Sequence, residues 1–450
     1  MIFKIDEYIF DSQRLIFYPA AVTQESVLTI NSNIPSNDNY DELSGELCKL
    51  DADNLNAKSI LPTTAGICLT YKCQLHCNYC SFSSKVDGYE IDFSSVRTFV
   101  NFLLRNVIIK KIAVPERPEP LVLYFTGGGE PTLNWGLFQE TVEYIKKKCN
   151  EKQIEYHLHL TTNGILNEEQ VLYIATNFSS IMVSFDGSSD VQNKNRKSAG
   201  NRETSKIVSN TLSLLDQMDA PYSIRTTIWQ SDFDKMREMV DYIYTYFKNN
   251  KGWSISPILV TGRAVDEIKK DYLNENKYNF IESFVDAANY AMKTYGAENM
   301  SIKLFANTFS DIFCGSCYIA NPWLMPDSTI CTCLEGKNNI PVIGYAIKDR
   351  VVLLESYEDK LLKEYRKRFL SKECRECIAF RFCRTGCPLK FIEDEVSGME
   401  ASRWTCQMTR FYWKYVFRQI LSGNAVFGWT LETIENIEDI DFPIYKLMER

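Results

Sequence analysis

Three cysteines at a fixed spacing constrain this chain more than any other feature of its sequence. Cys73, Cys77 and Cys80 form the pattern C-x3-C-x2-C just after a short apolar run at residues 66–69. Four thiolates would complete the coordination of a four-iron cluster, whereas three leave one iron open to another ligand. We therefore expect the thiols to meet beside the end of a strand, around a metal centre that does chemistry as well as supporting the fold.

The composition narrows the possible partners. The chain has 450 residues, enough for two or three domains, and a net charge of 50 − 58 = −8 without a basic block. This charge excludes the electrostatic signature of a nucleic-acid-binding protein. The sequence shows neither a signal peptide nor an apolar run as long as a membrane span. We therefore expect a cytoplasmic protein with no nucleic-acid partner and no membrane partner.

Cysteine usage points to metal binding. Fifteen cysteines without a secretion signal argue against disulfides. Eleven of them fall into two motif-like groups, and four lie outside: Cys48, Cys68, Cys149 and Cys331. We expect these four to be reduced, buried side chains. Only Cys331, which lies within the second group, competes as a ligand.

Short apolar runs alternate with amphipathic segments through the middle of the chain. Six strands are predicted, at residues 66–69, 121–125, 155–160, 181–185, 222–228 and 254–259. The predicted helices cover residues 93–107, 135–148, 168–177, 204–218, 234–247 and 278–295. This alternation favours a parallel sheet with right-handed crossovers. The predicted fold class is α/β, a partial (βα)6 TIM-like barrel, because six strands are too few for the closed eight-stranded barrel.

Candidate ligand-binding residues lie at or near the ends of these strands. They are Gly128, Gly129, Glu130, Asn163, Ser184, Asp186 and Arg225. In parallel βα folds the carboxyl ends of the strands share one face, where ligands bind, so the cysteines and these residues would form one site. Asn163 and Asp186 could instead only shape their turns, and Arg225 could be a buried salt-bridge partner.

The second group of cysteines lies near the C-terminus. Cys374, Cys377, Cys383 and Cys387 form C-x2-C-x5-C-x3-C, followed by a proline. A C-x3-C-P ending also closes the bacterial ferredoxin run, where the last cysteine binds the other cluster. Two clusters would need further ligands, and four more cysteines are available: Cys314, Cys317, Cys333 and Cys406.

Together these motifs resemble the radical S-adenosylmethionine (SAM) enzymes. The resemblance rests on Tyr79 within CQLHCNYC and on the segment GGGEP that contains Gly128, Gly129 and Glu130, and it spans residues 66–418. In that family the open iron binds SAM, whose cleavage gives a 5′-deoxyadenosyl radical. The resemblance implies that the glycine segment binds the SAM amino group. It also implies that Ser184 contacts the ribose and that Arg225 pairs with the carboxylate.

The C-terminal pattern resembles the SPASM extension of these enzymes, which implies two auxiliary [4Fe-4S] clusters and three clusters in total. One auxiliary cluster would be held by Cys314, Cys317, Cys333 and Cys387. The other would be held by Cys374, Cys377, Cys383 and Cys406. The family's glycine is replaced by Ser328, which leaves the choice between Cys333 and Cys331 open. Zinc is the alternative for the C-terminal thiols.

The resemblance also suggests the domain organisation. We expect an N-terminal extension at 1–62, the partial barrel at 63–265, a helical linker at 266–312, an irregular, Fe-S-binding SPASM domain at 313–410, and a C-terminal helix and tail at 411–450. In peptide-modifying relatives such an extension can be a small winged-helix module that grips a leader peptide. Residues 1–62 lack a convincing pattern of that kind, so a cap over the barrel or a partly disordered arm is the plainer interpretation.

The function that the resemblance implies is that of a radical SAM peptide maturase. It would abstract a hydrogen from a residue of a ribosomally made precursor peptide and form a thioether or carbon–carbon crosslink. The auxiliary clusters would accept the released electron, and an external donor such as flavodoxin or ferredoxin would supply the electron for SAM cleavage. If Cys317 were not a ligand, an open auxiliary iron could bind a substrate thiolate, which would favour a thioether.

Two other functions remain open at this stage. Anaerobic sulfatase-maturing enzymes make formylglycine and carry an acidic base directly after the third SPASM cysteine. Here that position is Leu334, and Glu335 follows as a candidate catalytic base. The alternative of another class is a non-catalytic Fe-S electron carrier or peptide-binding scaffold. Neither the three-cysteine motif nor the glycine segment is needed for electron storage, which favours an enzyme.

Overall fold

The structure is a computed structural model, and it describes a large part of the chain. The described residues are 2–5, 8–11, 16–19, 61–82, 88–258, 263, 279–297, 300–302, 321–334, 342–347, 349–354, 363–364, 367–368, 371–383, 386–397 and 401–421. The predicted site residues Cys314, Cys317 and Glu335 lie outside this part, as does Cys48.

Three short strands precede the main sheet. β1 (Ile2–Ile5), β2 (Tyr8–Asp11) and β3 (Ile16–Pro19) form an antiparallel sheet in the order β1-β2-β3. Each strand pairs with its neighbour in sequence, as the strands of a meander do. The start of the N-terminal extension is therefore a small sheet with its own ladder of main-chain hydrogen bonds.

Six parallel strands form the centre of the fold. They are β4 (Thr64–Ile67), β5 (Leu121–Phe125), β6 (Tyr156–Thr162), β7 (Ser180–Ser184), β8 (Tyr222–Ile228) and β9 (Trp253–Pro257). They lie in consecutive order, and each pairs in parallel with the next. The predicted partial barrel is thereby confirmed. Strands β5 and β8 have the predicted bounds, and the other four begin and end within two residues of them.

Helices connect these strands. They are α1 (Phe93–Ala113), α2 (Trp135–Lys152), α3 (Glu168–Asn177), α4 (Ser189–Asn195), α5 (Ser205–Gln217) and α6 (Met236–Tyr246), the last preceded by a 3-10 turn (Gln230–Lys235). Helix α3 has the predicted bounds. Its first turn is closed by a capping box between Asn167 and Gln170, which satisfies two main-chain N–H groups. Helix α4 was not predicted.

The two faces of the sheet differ in burial. Alternate residues of β8 are fully buried, and the residues between them are partly exposed. On the buried face, Phe125 packs edge-on against Phe138 and Phe178, with ring centroids 5.7 and 5.6 Å apart. Burying such a side chain contributes about 1.5–3 kcal/mol to stability. This apolar face holds the helices, so the opposite face is left for polar side chains.

The sheet continues past both edges of the predicted barrel. After α7 (Asn279–Tyr295), β10 (Met300–Ile302) adds a parallel strand beside β9. At the other edge, β11 (Trp323–Leu324) pairs in parallel with β4. Antiparallel strands then follow in the order β12 (Thr329–Cys331), β13 (Val342–Ile347) and β14 (Arg350–Leu353). One sheet of eleven strands therefore joins the barrel to the cysteine-rich region.

Short helices complete the described C-terminal region. They are α8 (Lys372–Arg375), α9 (Phe380–Cys383), α10 (Pro388–Ser397) and α11 (Ala401–Leu421). Helices α10 and α11 pack against each other, and α11 also contacts α7. Across the residues described, no helix combines the length and the apolar character that a membrane crossing requires.

Candidate active site

The three cysteines of the first motif lie in the loop after β4, residues 70–82, which we call the cysteine loop. The Leu75 N–H donates a hydrogen bond to Cys73 Sγ over 3.4 Å, and the Cys80 N–H donates to the Cys77 carbonyl over 3.3 Å. Burial raises the pKa of the Cys73 thiol to about 12 and that of Cys77 to about 11. Both thiols are therefore protonated in metal-free protein at neutral pH, and metal binding would release protons.

The glycine loop, residues 127–130, lies against the cysteine loop. A Cβ added to Gly129 would stand 1.9 Å from the Lys72 carbonyl oxygen, and one added to Gly128 would stand 2.5 Å from Cys68 Sγ. Gly128 also has a φ of +66°, in the region that favours glycine. Only glycine allows this close approach, so the structure brings together two motifs that are about 50 residues apart in sequence.

Glu130 fastens the glycine loop to the end of β6. Its Oε1 accepts hydrogen bonds from the hydroxyls of Thr132 and Thr162 over 2.7 and 2.8 Å, and its Oε2 accepts from the Asn163 N–H over 2.7 Å. Glu130 is only 2% exposed, and burial raises the pKa of its carboxyl while these hydrogen bonds oppose the rise. The side chain is thus engaged within the protein, and it fixes the position of the glycine loop.

Asn163 both shapes its turn and reaches the cysteine loop. Its Oδ1 accepts a hydrogen bond from the Ile165 N–H over 3.0 Å, as a turn-forming asparagine does. Its Nδ2 donates to Gln74 Oε1 over 3.3 Å and lies 3.8 Å from Cys73 Sγ. A role in shaping the turn and a place in the ligand-binding site, the two interpretations of Asn163 from the sequence, are therefore compatible.

Ser184 and Arg225 lie side by side. They are register partners in β7 and β8, and the Phe185 N–H donates to the Arg225 carbonyl over 3.0 Å. Ser254 is the partner of Arg225 in β9, and its hydroxyl is buried without a hydrogen-bond partner. Paired residues of parallel strands point to the same face of a sheet. The structure thus brings together on one face the two residues that the resemblance assigns to SAM.

Asp186 does more than shape a turn. It is fully buried, and its two carboxylate oxygens accept hydrogen bonds from Tyr79 Oη over 2.5 Å and from Arg196 Nε over 3.1 Å. Sequence analysis did not single out Arg196, because it follows α4 in a polar segment without apolar periodicity. Its nearness to Asp186 is a tertiary contact, and no local pattern marks it.

Four C-terminal cysteines line one pocket. Its lining residues are Cys374, Cys377, Ala379, Phe380, Cys383, Cys406, Thr409 and Arg410. The thiols come from α8, α9, α11 and the turn after α8, and Cys387, which the structure also describes, does not line this pocket. Within the described ranges, no group of three or more His, Cys, Asp or Glu side chains is arranged to hold a metal ion.

Cys331 and Cys333 differ in burial. Cys331 is 8% exposed and packs in an apolar cluster with Cys68 and Met325. Burial is the main cause that raises the pKa of the Cys331 thiol to about 11. Cys333 is partly exposed, two residues further along. This arrangement favours Cys333 as the ligand and Cys331 as a packed core residue.

Ser328 keeps the turn that the family's glycine would make. Its φ is +65°, a conformation that costs a residue with a side chain roughly 1–2 kcal/mol. The hydroxyls of Ser328 and Ser95 share a hydrogen bond of 2.8 Å, which ties the turn to α1 and offsets part of that cost. Ser328 therefore adopts a backbone conformation that glycine usually takes.

The number and type of the donor groups agree with the cofactors that the resemblance implies. Three thiols in the cysteine loop match a four-iron cluster with one open iron, and four thiols in the C-terminal pocket match a complete one. Such thiols need not share a single metal ion, because each would bind a different iron of the cluster.

Comparison with known proteins agrees with this geometry. A family model described as the Radical SAM superfamily matches residues 67–243, which include the cysteine loop, the glycine loop and strands β5 to β8. A cysteine-type anaerobic sulfatase-maturating enzyme of Clostridium perfringens is 21% identical over 390 residues, covering 81% of this chain and 96% of that protein. A protein of the same name from Clostridium novyi is 23% identical over 333 residues, covering 70% of this chain and 84% of its own length.

Solved structures share the fold. Native anSMEcpe with bound AdoMet has a TM-score of 0.59 at 20% identity, covering 80% of this chain and 98% of that one. Streptococcus suis SuiB bound to the precursor peptide SuiA has a TM-score of 0.52 at 16% identity, covering 87% of this chain and 97% of that one. Identities this low show a common architecture. The family match, which includes the cysteine and glycine loops, shows that residues 67–243 of this chain are a radical SAM domain.

Proposed function

We propose that this enzyme matures a ribosomally made precursor peptide by closing a thioether or carbon–carbon crosslink. Cys73, Cys77 and Cys80 would hold a [4Fe-4S] cluster, which would supply the electron for the cleavage of SAM to the 5′-deoxyadenosyl radical. One hydrogen atom of a peptide residue passes to that radical and leaves as 5′-deoxyadenosine. Closing the crosslink then releases one proton and one electron, so the reaction needs an electron acceptor. Flavodoxin or ferredoxin is the proposed external donor.

The observation that carries the proposal is the convergence of the cysteine loop with the glycine loop. Gly129 can approach the Lys72 carbonyl only because it has no Cβ, and the Gly129 N–H donates to the Thr70 carbonyl over 2.8 Å. Asn163 reaches Cys73 from the next strand end. Three thiols and the glycine loop therefore share one edge of the parallel sheet, where βα folds bind their substrates.

The C-terminal pocket supports the role of electron acceptor. It gathers the four thiols that the SPASM resemblance assigns to one auxiliary cluster. The proposed set of the other cluster consists of Cys314, Cys317, Cys333 and Cys387. Arg410 lines the pocket, and its positive charge would favour the added electron. Peptide binding is supported by the solved relative SuiB, whose structure contains its precursor peptide SuiA.

The central test is SAM cleavage by anaerobically reconstituted protein. We expect 5′-deoxyadenosine from the wild-type chain and none above background from Cys77→Ala, which should keep its auxiliary iron. The matched control is Cys149→Ala, because Cys149 is fully buried in α2 and belongs to neither cysteine group. Equal activity of Cys77→Ala and wild type would contradict the ligand assignment, and a wild-type protein with full iron but no product would contradict the enzyme.

Formylglycine formation is the second candidate, since the curated relatives are sulfatase-maturating enzymes. One contact weighs against it. Leu334 occupies the position of the family's acidic base, and a Cβ on Gly127 would stand 2.1 Å from its Cδ2. Leu334 is therefore packed on the glycine loop, and its aliphatic side chain cannot act as a base. Glu335 remains the proposed substitute base for this reaction.

Mass spectrometry of treated peptides separates the two candidates. A crosslink removes two hydrogens and leaves no aldehyde, whereas formylglycine carries an aldehyde that reacts with hydrazine reagents. We expect the loss of two hydrogens from a precursor peptide encoded beside this enzyme, with no hydrazine adduct. An aldehyde on a sulfatase-derived peptide, with an unmodified precursor peptide, would favour formylglycine instead.

A further inference from the structure

A short segment of the chain runs along the cysteine loop. We call residues 194–199 the strap. They comprise the last two residues of α4 and the four residues that follow it. Three main-chain hydrogen bonds join the strap to the loop. The His76 N–H donates to the Lys197 carbonyl over 2.8 Å and the Ala199 N–H donates to the Gln74 carbonyl over 2.8 Å, which together form the β-bridge between Leu75 and Ser198. The Asn78 N–H donates to the Asn195 carbonyl over 3.1 Å. The strap therefore follows the backbone on which the three thiols are mounted.

One side chain of the strap carries a buried positive charge. Arg196 is 8% exposed, and its Nε donates to Asp186 Oδ1 over 3.1 Å. Its guanidinium lies over the ring of Tyr79, 5.4 Å from the ring centroid, while Tyr79 Oη donates to Asp186 Oδ2. The Thr227 N–H also points to Asp186 Oδ1 over 3.4 Å. Arg196, Asp186 and Tyr79 thus form a closed network whose third member belongs to the cysteine loop.

The charges of this network lie next to the cysteines of the first motif. Tyr79, which contacts both Arg196 and Asp186, stands between Cys77 and Cys80 in the chain. Arg263 approaches from another side, and its Nη1 donates to the Cys77 carbonyl over 3.1 Å. Two guanidinium groups and one carboxylate therefore lie close to the backbone that carries these thiols.

We propose that the Arg196–Asp186 pair sets the reduction potential of the cluster held by Cys73, Cys77 and Cys80, with Arg196 as a positioning residue. The proposal rests on the ligand set of the proposed function. Reduction adds one negative charge to the cluster, so a nearby cation favours it and a nearby anion opposes it. The charges of Arg196 and Asp186 oppose each other. The ion pair therefore holds the strap to the cysteine loop, and it raises the reduction potential of the cluster less than Arg196 alone would.

The pairing of opposite charges predicts a result that a purely structural role would not produce. Asp186→Asn keeps the shape of the side chain and leaves the Arg196 charge uncompensated. We expect the reduction equilibrium of this cluster to shift toward the reduced form by about tenfold, a rise of 59 mV for one electron. Adding Arg196→Gln to Asp186→Asn removes the uncompensated charge, so the double variant should return close to the wild-type potential.

The measurement is a redox titration of the full-length reconstituted protein, followed by electron paramagnetic resonance. The signal of this cluster is identified by its change on addition of SAM, which separates it from the auxiliary clusters. The matched control is the exposed pair of Arg237 and Asp286, which joins α6 to α7. Asp286→Asn, alone and with Arg237→Gln, should leave the potential unchanged.

Several outcomes would overturn the proposal. A potential that does not rise in Asp186→Asn would do so, and so would a double variant that stays as high as the single one. If Asp186→Asn did not load iron, Arg196→Gln tests the same pair, because it leaves the charge of Asp186 uncompensated and must lower the potential. Failure of these shifts in protein that still makes 5′-deoxyadenosine would refute the electrostatic role alone. Protein without a SAM-sensitive signal would refute the proposed function.

Discussion

A single buried carboxylate holds the glycine loop of this enzyme to the neighbouring strand. The sequence marks Glu130 through its place in the glycine motif, but its partners Thr162 and Asn163 come from a strand end more than 30 residues away. Sequence reasoning can name such a residue from its motif. It cannot name the partners, because they are chosen by the pairing of β5 with β6.

Replacing Glu130 by glutamine should destabilise the protein by about 1–3 kcal/mol, the cost of an unsatisfied buried polar group. Its Oε1 accepts from the Thr132 N–H over 3.3 Å, and its Oε2 accepts from the Asn163 N–H over 2.7 Å. The new amide nitrogen would therefore face a main-chain donor in either orientation. Urea denaturation measures the loss. The matched control Glu140→Gln, at an exposed site in α2, should stay within about 0.5 kcal/mol of wild type. Equal midpoints for both variants would contradict the network.

At the scale of elements, the sequence predicted the bounds of strands and helices that are determined by their own residues. The apolar runs of β5 and β8 and the capped helix α3 have their predicted bounds. Helix α4 was missed because it has only seven residues and no apolar stripe, and it is followed by the strap. The strap is stabilised by the cysteine loop that it contacts, so nothing within its own sequence reveals it.

The contact between the glycine and cysteine loops makes a prediction about Gly129. Gly129→Ala would place a Cβ 1.9 Å from the Lys72 carbonyl oxygen, and the backbone there must move. We expect a loss of about 1–3 kcal/mol, typical of overpacking, together with weaker SAM cleavage. Thermal unfolding and 5′-deoxyadenosine formation measure the two effects.

Gly136→Ala is the matched control for that change. Gly136 lies in the first turn of α2, and its added Cβ would meet only Asn134 Oδ1, at 3.9 Å. Alanine favours a helix by up to about 1 kcal/mol over glycine, so this variant should be as stable as wild type or more so. If the two alanine variants lost stability equally, the close approach of the loops would not be the cause.

At the scale of the whole molecule, the barrel and the cysteine-rich region share one sheet. The six-stranded centre was predictable because each strand is a local apolar run. The join was not, because β11 has two residues and its partner β4 is more than 250 residues away in sequence. At this seam the indole of Trp323 lies over Gly66, where an added Cβ would stand 2.0 Å from the ring.

A change at the seam should therefore affect both regions. We expect Gly66→Ala to lower the melting temperature and to weaken retention of the auxiliary iron, because the indole must move away from β4. Trp323→Leu should restore part of this loss when combined with Gly66→Ala, since the smaller side chain leaves room for the methyl group. Calorimetry and iron analysis of the two single variants and the double variant form the test. Strictly additive losses would show that the two residues do not meet.

The packing of Leu334 on Gly127 gives the two metal-binding regions a mechanical connection. Leu334 is the residue after Cys333, and Gly127 begins the loop beside the first three cysteines. A displacement of either loop would press directly on the other. Movement of one loop would thus be transmitted to the other through the branched end of the Leu334 side chain.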